Sequence, residues 1–184
     1  MTNIMRNDAK TLSPHAKAKI EPQLFRRTMG AFATGVTVIT VDAGGATHGM
    51  TANAFMSGSL NPPLCVVSIA KRAHTHAMLR QSGRFGVNIL GADQQDLAIF
   101  FAGRKALDVD ARFQRVDDTP LLQDCAARIA ARVTNECDCG DHTLFVGAIH
   151  FIESSDRPPL LYHRGAFGSL APKMGERVPA PEFW

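Results

Sequence analysis

Gly49–Ile69, GMTANAFMSGSLNPPLCVVSI, is the stretch on which the fold turns. It opens with small and polar residues: Gly49, Thr51, Ala52, Asn53, Ala54, Ser57, Gly58 and Ser59. Only Met50, Phe55 and Met56 interrupt before Leu60. A turn at Asn61-Pro62-Pro63 follows, then an apolar run from Leu64 to Ile69. Small side chains let a backbone approach a flat ligand closely enough for N–H and C=O groups to bond it. Phe55 and the apolar run hold that surface against a core. The same residues also suit a polar strand and loop beneath an ordinary sheet, and the flanking chain has to decide.

Upstream, Val36–Val41 alternates as a strand, and Asp42-Ala43-Gly44-Gly45 supplies a turn into the small-residue strand, making a hairpin. Before it, Leu24, Phe25, Thr28, Met29 and Phe32 recur at helical spacing from Pro22, and Gly35 stands where a C-cap is expected. Downstream, Lys71–His76 opens a short helix that runs through Met78 and Leu79 and is ended by Ser82-Gly83, and Phe85–Leu90 reads as a strand. A helix from Asp93 carries Leu97, Ile99, Phe100 and Phe101 and stops at Gly103. Residues 104–120 are charged and predict an irregular surface excursion. Two long strands, Ala127–Thr134 and His142–Glu153, flank a turn at Asp138–Asp141. Leu160–His163 reads as a last core strand, with Phe167 and Leu170 closing the fold. Helices do not alternate with strands, which argues against a doubly wound sheet. The pattern is mainly β with peripheral helices: a small antiparallel barrel with helices packed outside.

Residues 1–20 predict a mobile leader, 21–171 one domain and 172–184 a tail with three prolines. The leader lacks the apolar core of a secretory signal, and no apolar run approaches a membrane span. A net charge of +3 without an aromatic-interleaved basic patch excludes a nucleic-acid reader. Cys65, Cys125, Cys137 and Cys139 form no CxxC pair and predict free thiols in a reducing cytoplasm, with no metal site.

No two glycines are separated by a single residue, which excludes the GxGxxG dinucleotide fingerprint; P-loop, GxSxG and HExxH patterns are absent too. A phosphate-bearing ligand must therefore be held by loop amides, hydroxyls and basic side chains. Lys71-Arg72-Ala73-His74-Thr75 suits that task, following an apolar strand and opening a helix; it equally suits a solvated basic turn. In Gly140-Asp141-His142, a histidine after a glycine turn is able to face a cleft and titrate near neutrality, or to be a surface turn residue. Asp141 is expected to point the other way on the strand.

Taken together, Phe25–Val41, His48–Pro62, Val87–Leu90, Phe101-Ala102-Gly103 and Gly140–Gly147 resemble, in one consistent order, the short flavin reductases. These serve as the small component of two-component flavin-dependent monooxygenases of the phenol and 4-hydroxyphenylacetate hydroxylase type. Leu160–Leu170 matches more loosely, and the Cys137-Asp138-Cys139 run departs from the family pattern.

The resemblance implies a homodimeric split β-barrel of the FMN-binding type, taking FMN or FAD as cofactor and NADH or NADPH as reductant. It places Met50, Thr51, Ala52 and Asn53 along the flavin, and Ser68, Ala70, Arg72, His74 and Thr75 at its ribityl and phosphate groups. Phe101, Ala102 and Gly103 border it. His142 faces the nicotinamide, with Tyr162, Arg164 and Phe167 lining the same cleft. The implied partner is a flavin-dependent oxygenase that captures diffusing reduced flavin, with neither membrane nor nucleic acid involved. The alternatives are a non-catalytic flavin-binding or sensor protein on the same barrel, and an oxidase of a phosphorylated pyridine compound.

Overall fold

The computed structural model describes residues 20–104 and 109–171. Helix α1 (Pro22–Met29) begins where the Glu21 carboxylate accepts the N–H groups of Gln23 and Leu24 at 3.0 and 2.9 Å, and a proline fills its first position. It ends at Gly30; the expected cap, Gly35, lies instead in the short strand β1 (Thr34–Gly35). Strands β2 (Thr37–Ala43) and β3 (Ala46–Ala52) form the expected hairpin, turning through Gly44 and Gly45 at φ +66° and +93°. The remainder of the small-residue stretch becomes β4 (Phe55–Ser59) and β5 (Leu64–Ala70). Then come α2 (His74–Ser82), closed by Gly83 at φ 63°, β6 (Arg84–Ile89) and α3 (Gln95–Phe101). Strands β7 (Phe113–Val116) and β8 (Thr119–Leu122) precede the long β9 (Ala127–Cys139) and β10 (His142–Ser154), and β11 (Leu161–His163) and β12 (Ala166–Gly168) finish the fold.

Seven strands form one antiparallel sheet in the order β3-β2-β6-β9-β10-β5-β4. Its first and last strands are consecutive in the chain, joined only by Asn53 and Ala54. Laid flat, six strand spacings would part them by about 29 Å. Three residue steps from Ala52 to Phe55 reach about 11 Å at most. The sheet is therefore forced to curl until its edges approach at this corner. No ladder pairs β3 with β4 among the described residues.

The curl explains where the core lies. One cluster draws on all seven strands, with Ile39, Val67, Val87, Ile129 and Phe145 buried and Met50 and Phe55 packed against them. A concave face turns the inward side chains of all seven strands toward one another. Fully burying such a side chain contributes roughly 1.5–3 kcal/mol. Helix α2 adds Leu79 to this inner cluster, so it closes the curl rather than lying outside it, contrary to the expectation for the helices. A second cluster, with Val36, Val38, Leu90, Ala98, Leu122 and Leu160, lies on the convex side beneath α3.

Three further expectations change. The 104–120 region holds a hairpin whose second strand is wholly buried. Asp117 and Asp118 turn it at φ 44° and 63°, where Asn-Gly is the commoner signal, and Pro120 disguises the strand. Residues 105–108 lie outside the described chain, as do 1–19 and 172–184, so the leader and the tail are not described beyond Ile20. Leu160–His163 does not join the main sheet: β11 pairs with β1 and β12 in a small separate sheet, with Leu160 alone fully buried. Phe167 packs on the convex cluster, but Leu170 is exposed and closes nothing.

Candidate active site

Strand β10 alternates cleanly: Thr143, Phe145 and Gly147 are buried inward, while His142, Leu144 and Val146 are half-buried on the convex face. Register places Ala70 opposite His142 and Ser68 opposite Leu144, so these four share that face. At the sheet corner the Ser68 N–H donates to the Ala54 carbonyl at 3.1 Å, which brings the exposed Asn53–Ala54 link beside β5. The Lys71 N–H donates to the Asp141 carbonyl at 2.9 Å, tying the turn after β5 to the β9–β10 turn. Asn53, Ser68, Ala70 and His142 thus belong to one corner of the sheet, with Arg72 and His74 exposed just beyond Ala70.

The other expected flavin contacts divide. Met50 and Ala52 are half-buried and pack against the inner core. Thr51 points to the convex side, where its hydroxyl donates to the Ala98 carbonyl at 2.7 Å and fastens α3 to β3. A Cβ on neighbouring Gly49 would stand 2.6 Å from the Phe101 ring, so glycine is what lets α3 lie this close. That packing sets the end of α3, Phe101 with exposed Ala102 and Gly103, against the same edge strand.

Thr75 departs from its expected role. It is buried inside the curl, where its hydroxyl meets His48 Nε2 at 3.1 Å, so the side chain is not presented to an anion. His48 is held below its usual pKa first by burial and then by the charge of His74. His76 is likewise internal, bonded to the Thr143 hydroxyl at 2.9 Å and edge-on to Phe145. Lys71 is engaged by Asp138 at 3.3 Å. Arg72 and His74 remain exposed in the turn.

Asp141 overturns its expectation too. It sits in the two-residue Gly140-Asp141 turn, where strand alternation does not apply, and its Oδ1 lies 2.8 Å from His142 Nδ1. That hydrogen bond, followed by the imidazole's charge, holds the Asp141 carboxyl below the usual carboxylate range. With Nδ1 engaged, Nε2 is the nitrogen left for a ligand. The cue in the sequence was the turn length rather than the residue types.

Tyr162 and Phe167 stack edge to face at 5.5 Å, and the Arg164 N–H donates to the Gly30 carbonyl at 2.9 Å. Phe167 lines a cleft of about 350 Å³ with Ala33, Leu161 and His163. This group abuts the convex cluster that also receives Phe101. It shares no hydrogen bond or ring contact with His142 among the described residues.

A curled antiparallel sheet whose edge strands approach at the Asn53–Ala54 corner describes a class of small β proteins. Residues 29–171 match the model of the flavin reductase like domain, and the chain belongs to that family. It is 38% identical over 155 residues to an NADH-dependent flavin reductase of a Rhodococcus species, covering 83% of this chain and 88% of that protein. It is 34% identical to the reductase component of a 4-nitrophenol monooxygenase of Rhodococcus opacus, covering 80% of each. Among solved structures, flavin reductase PheA2 superposes with a TM-score of 0.81 at 46% identity, over 83% of this chain and all of that one. An NADH:FAD oxidoreductase of Streptomyces globisporus superposes with a TM-score of 0.78 at 32% identity, over 84% of this chain and 96% of that one.

Proposed function

We propose that this chain is an NADH-dependent flavin reductase that delivers reduced FMN or FAD to a partner flavin-dependent monooxygenase. The observation that carries the reading is the corner where Asn53, Ser68, Ala70 and His142 meet, in a chain whose relatives carry that activity in their names. When bound, a flavin supplies the hydride-accepting centre, and the protein supplies position and electrostatics.

The residues present suit such a ligand. The Asn53–Ala54 link and the outward edge of β5 offer backbone and small side chains to a flat ring. Beyond Ala70, exposed Arg72 and His74 would hold a phosphate, each charge-assisted bond contributing roughly 1.5–3 kcal/mol. The end of α3, Phe101 to Gly103, would border the ring from the far side of β3. His142 is the positioning group for the nicotinamide, through its free Nε2, with Tyr162, Arg164 and Phe167 as the outer wall. Holding donor and acceptor rings at about 3–3.5 Å is the main catalytic contribution asked of these residues.

The forced curl at Asn53–Ala54 supports a split barrel of the FMN-binding type, built as one domain from residues 21–171. A homodimer is supported by the apolar side chains left uncovered on one chain: Leu24, Phe25 and Met29 on α1, which buries no residue, and nearby Phe32. No helix of the described residues is long and apolar enough to cross a membrane. A non-catalytic flavin-binding role is not favoured by relatives named as reductases.

Aerobic consumption of NADH, measured with and without added FMN and FAD, tests the reading. Rapid flavin-dependent turnover is expected. A tightly yellow protein without turnover would move the assignment to a flavin sensor.

A further inference from the structure

The four cysteines divide by environment. Cys65 and Cys125 are buried, and burial pushes both thiols up to about 11. A thiol held neutral is a poor nucleophile. Cys137 and Cys139 are free and exposed near the end of β9. Standing two residues apart on one strand, they project from the same face. Register identifies that face: Cys139 is opposite His142 and Cys137 is opposite Leu144, both on the convex side. Directly opposed side chains keep their Cβ atoms about 4.5–5.5 Å apart. The Cys139 sulfur is therefore the immediate cross-strand neighbour of the imidazole proposed to meet the nicotinamide. Among the described residues no group of three or more His, Cys, Asp and Glu is set to hold a metal ion.

We infer that Cys139 is a thiol-modification site through which small disulfides of the glutathione class switch off nicotinamide binding at His142. The inference rests on the reading of His142 given above. In the exchange, the Cys139 thiolate attacks one sulfur of the incoming disulfide. A new S–S bond joins it to Cys139, and the other sulfur leaves as a thiolate that takes up the proton Cys139 released. A second thiol reverses the step, so no further oxidant is needed.

An internal Cys137–Cys139 bridge is the competing product, and geometry decides against it. Two strand steps set the Cα atoms about 6.6–6.8 Å apart. That is the far end of the roughly 4.4–6.8 Å range for disulfides, and the two Cβ bonds run side by side rather than toward each other. The mixed adduct forms without moving the strand. Attached to Cys139, it occupies the space beside the imidazole. Attached to Cys137, it lies over Leu144, one pair further from the turn.

The test treats the folded, full-length enzyme with oxidised glutathione and reads both adduct position, by peptide mass, and steady-state kinetics. An adduct at Cys139 is expected to raise the KM for NADH about tenfold, equivalent to ~1.4 kcal/mol. The change should reverse with dithiothreitol. Cys139→Ser should keep the untreated rate and resist the treatment, while Cys137→Ser should stay sensitive. Failure of Cys139 to take an adduct, or equal inhibition of the treated Cys139→Ser enzyme, overturns the inference. Untreated His142→Ala separates this from the underlying reading. If that variant keeps its KM, the role of His142 is wrong; if its KM rises and the adduct's does not, the thiol switch alone is wrong.

Discussion

Asp141 Oδ1 lies 2.8 Å from His142 Nδ1, so two adjacent residues of a tight turn form an acid–imidazole pair. The contact engages one ring nitrogen and leaves the other to address a ligand. Asp141 is exposed and His142 only half-buried, so the value of the pair lies in orientation rather than stability. His142→Ala is expected to raise the KM for NADH severalfold with flavin affinity retained. Asp141→Asn, which still offers an oxygen to Nδ1, is expected to fall between the parent and Asp141→Ala. Steady-state kinetics checks both, and an unchanged KM and kcat in His142→Ala would remove the residue from the site.

Arg72 is an exposed cation one residue past the turn's Lys71, which Asp138 already engages. Arg72→Ala is expected to weaken FMN binding by roughly tenfold or more, the loss of one charge-assisted bond. Riboflavin, which has no phosphate, should bind parent and variant alike. Fluorescence titration with both flavins reads the difference; equal losses for the two would place the phosphate elsewhere.

Gly49 leaves no room for a methyl group against the Phe101 ring. Gly49→Ala must push α3 off β3 and strain the Thr51–Ala98 bond, at a cost of about 1–3 kcal/mol for overpacking. Thermal denaturation is expected to show the lower Tm. Pairing it with Phe101→Leu should recover part of the loss, because the smaller side chain vacates the space.

Half-buried His48 and the buried Cys65 and Cys125 bound stability on both sides of neutrality. His48 titrates below its usual value of 6.5 in the fold, so the unfolded chain takes up the proton first as pH falls. Stability is therefore lost on acidification from about 6.5. Cys65 and Cys125 sit near 11 against an ordinary 9.0, so the unfolded chain loses those protons first and stability falls again between these values. Urea midpoints across pH should trace a dome with shoulders at both places. His74→Ala, by removing the neighbouring charge, is expected to soften the acid side.

Helix α1 presents Leu24, Phe25 and Met29 to solvent in one chain. If a second copy covers them, Phe25→Asp should shift the protein toward monomer in light scattering. A parent that is already monomeric at micromolar concentration would sink the dimer.

Much of this was legible beforehand, for identifiable reasons. Period-two alternation marked β2 and β9, and glycine turns marked the hairpins around Gly44 and Gly140. What escaped depended on tertiary context. The β7–β8 hairpin hid behind Pro120 and an Asp-Asp turn. Thr75 looked like a phosphate ligand because its neighbours are basic, yet helix phase turned it inward to His48. Asp141 looked averted because strand alternation was extended one residue too far. Gly49 gave no sign in the sequence of the ring that requires it.

The two-residue link Asn53–Ala54 also dictates when the fold is able to form. The strands that separate β3 from β4 in the sheet include β6, β9 and β10, all encoded after residue 83. On a ribosome, then, the early hairpin and the β4–β5 pair must wait with their apolar faces open until residue 154 has emerged. No N-terminal half of this chain is a smaller version of the whole.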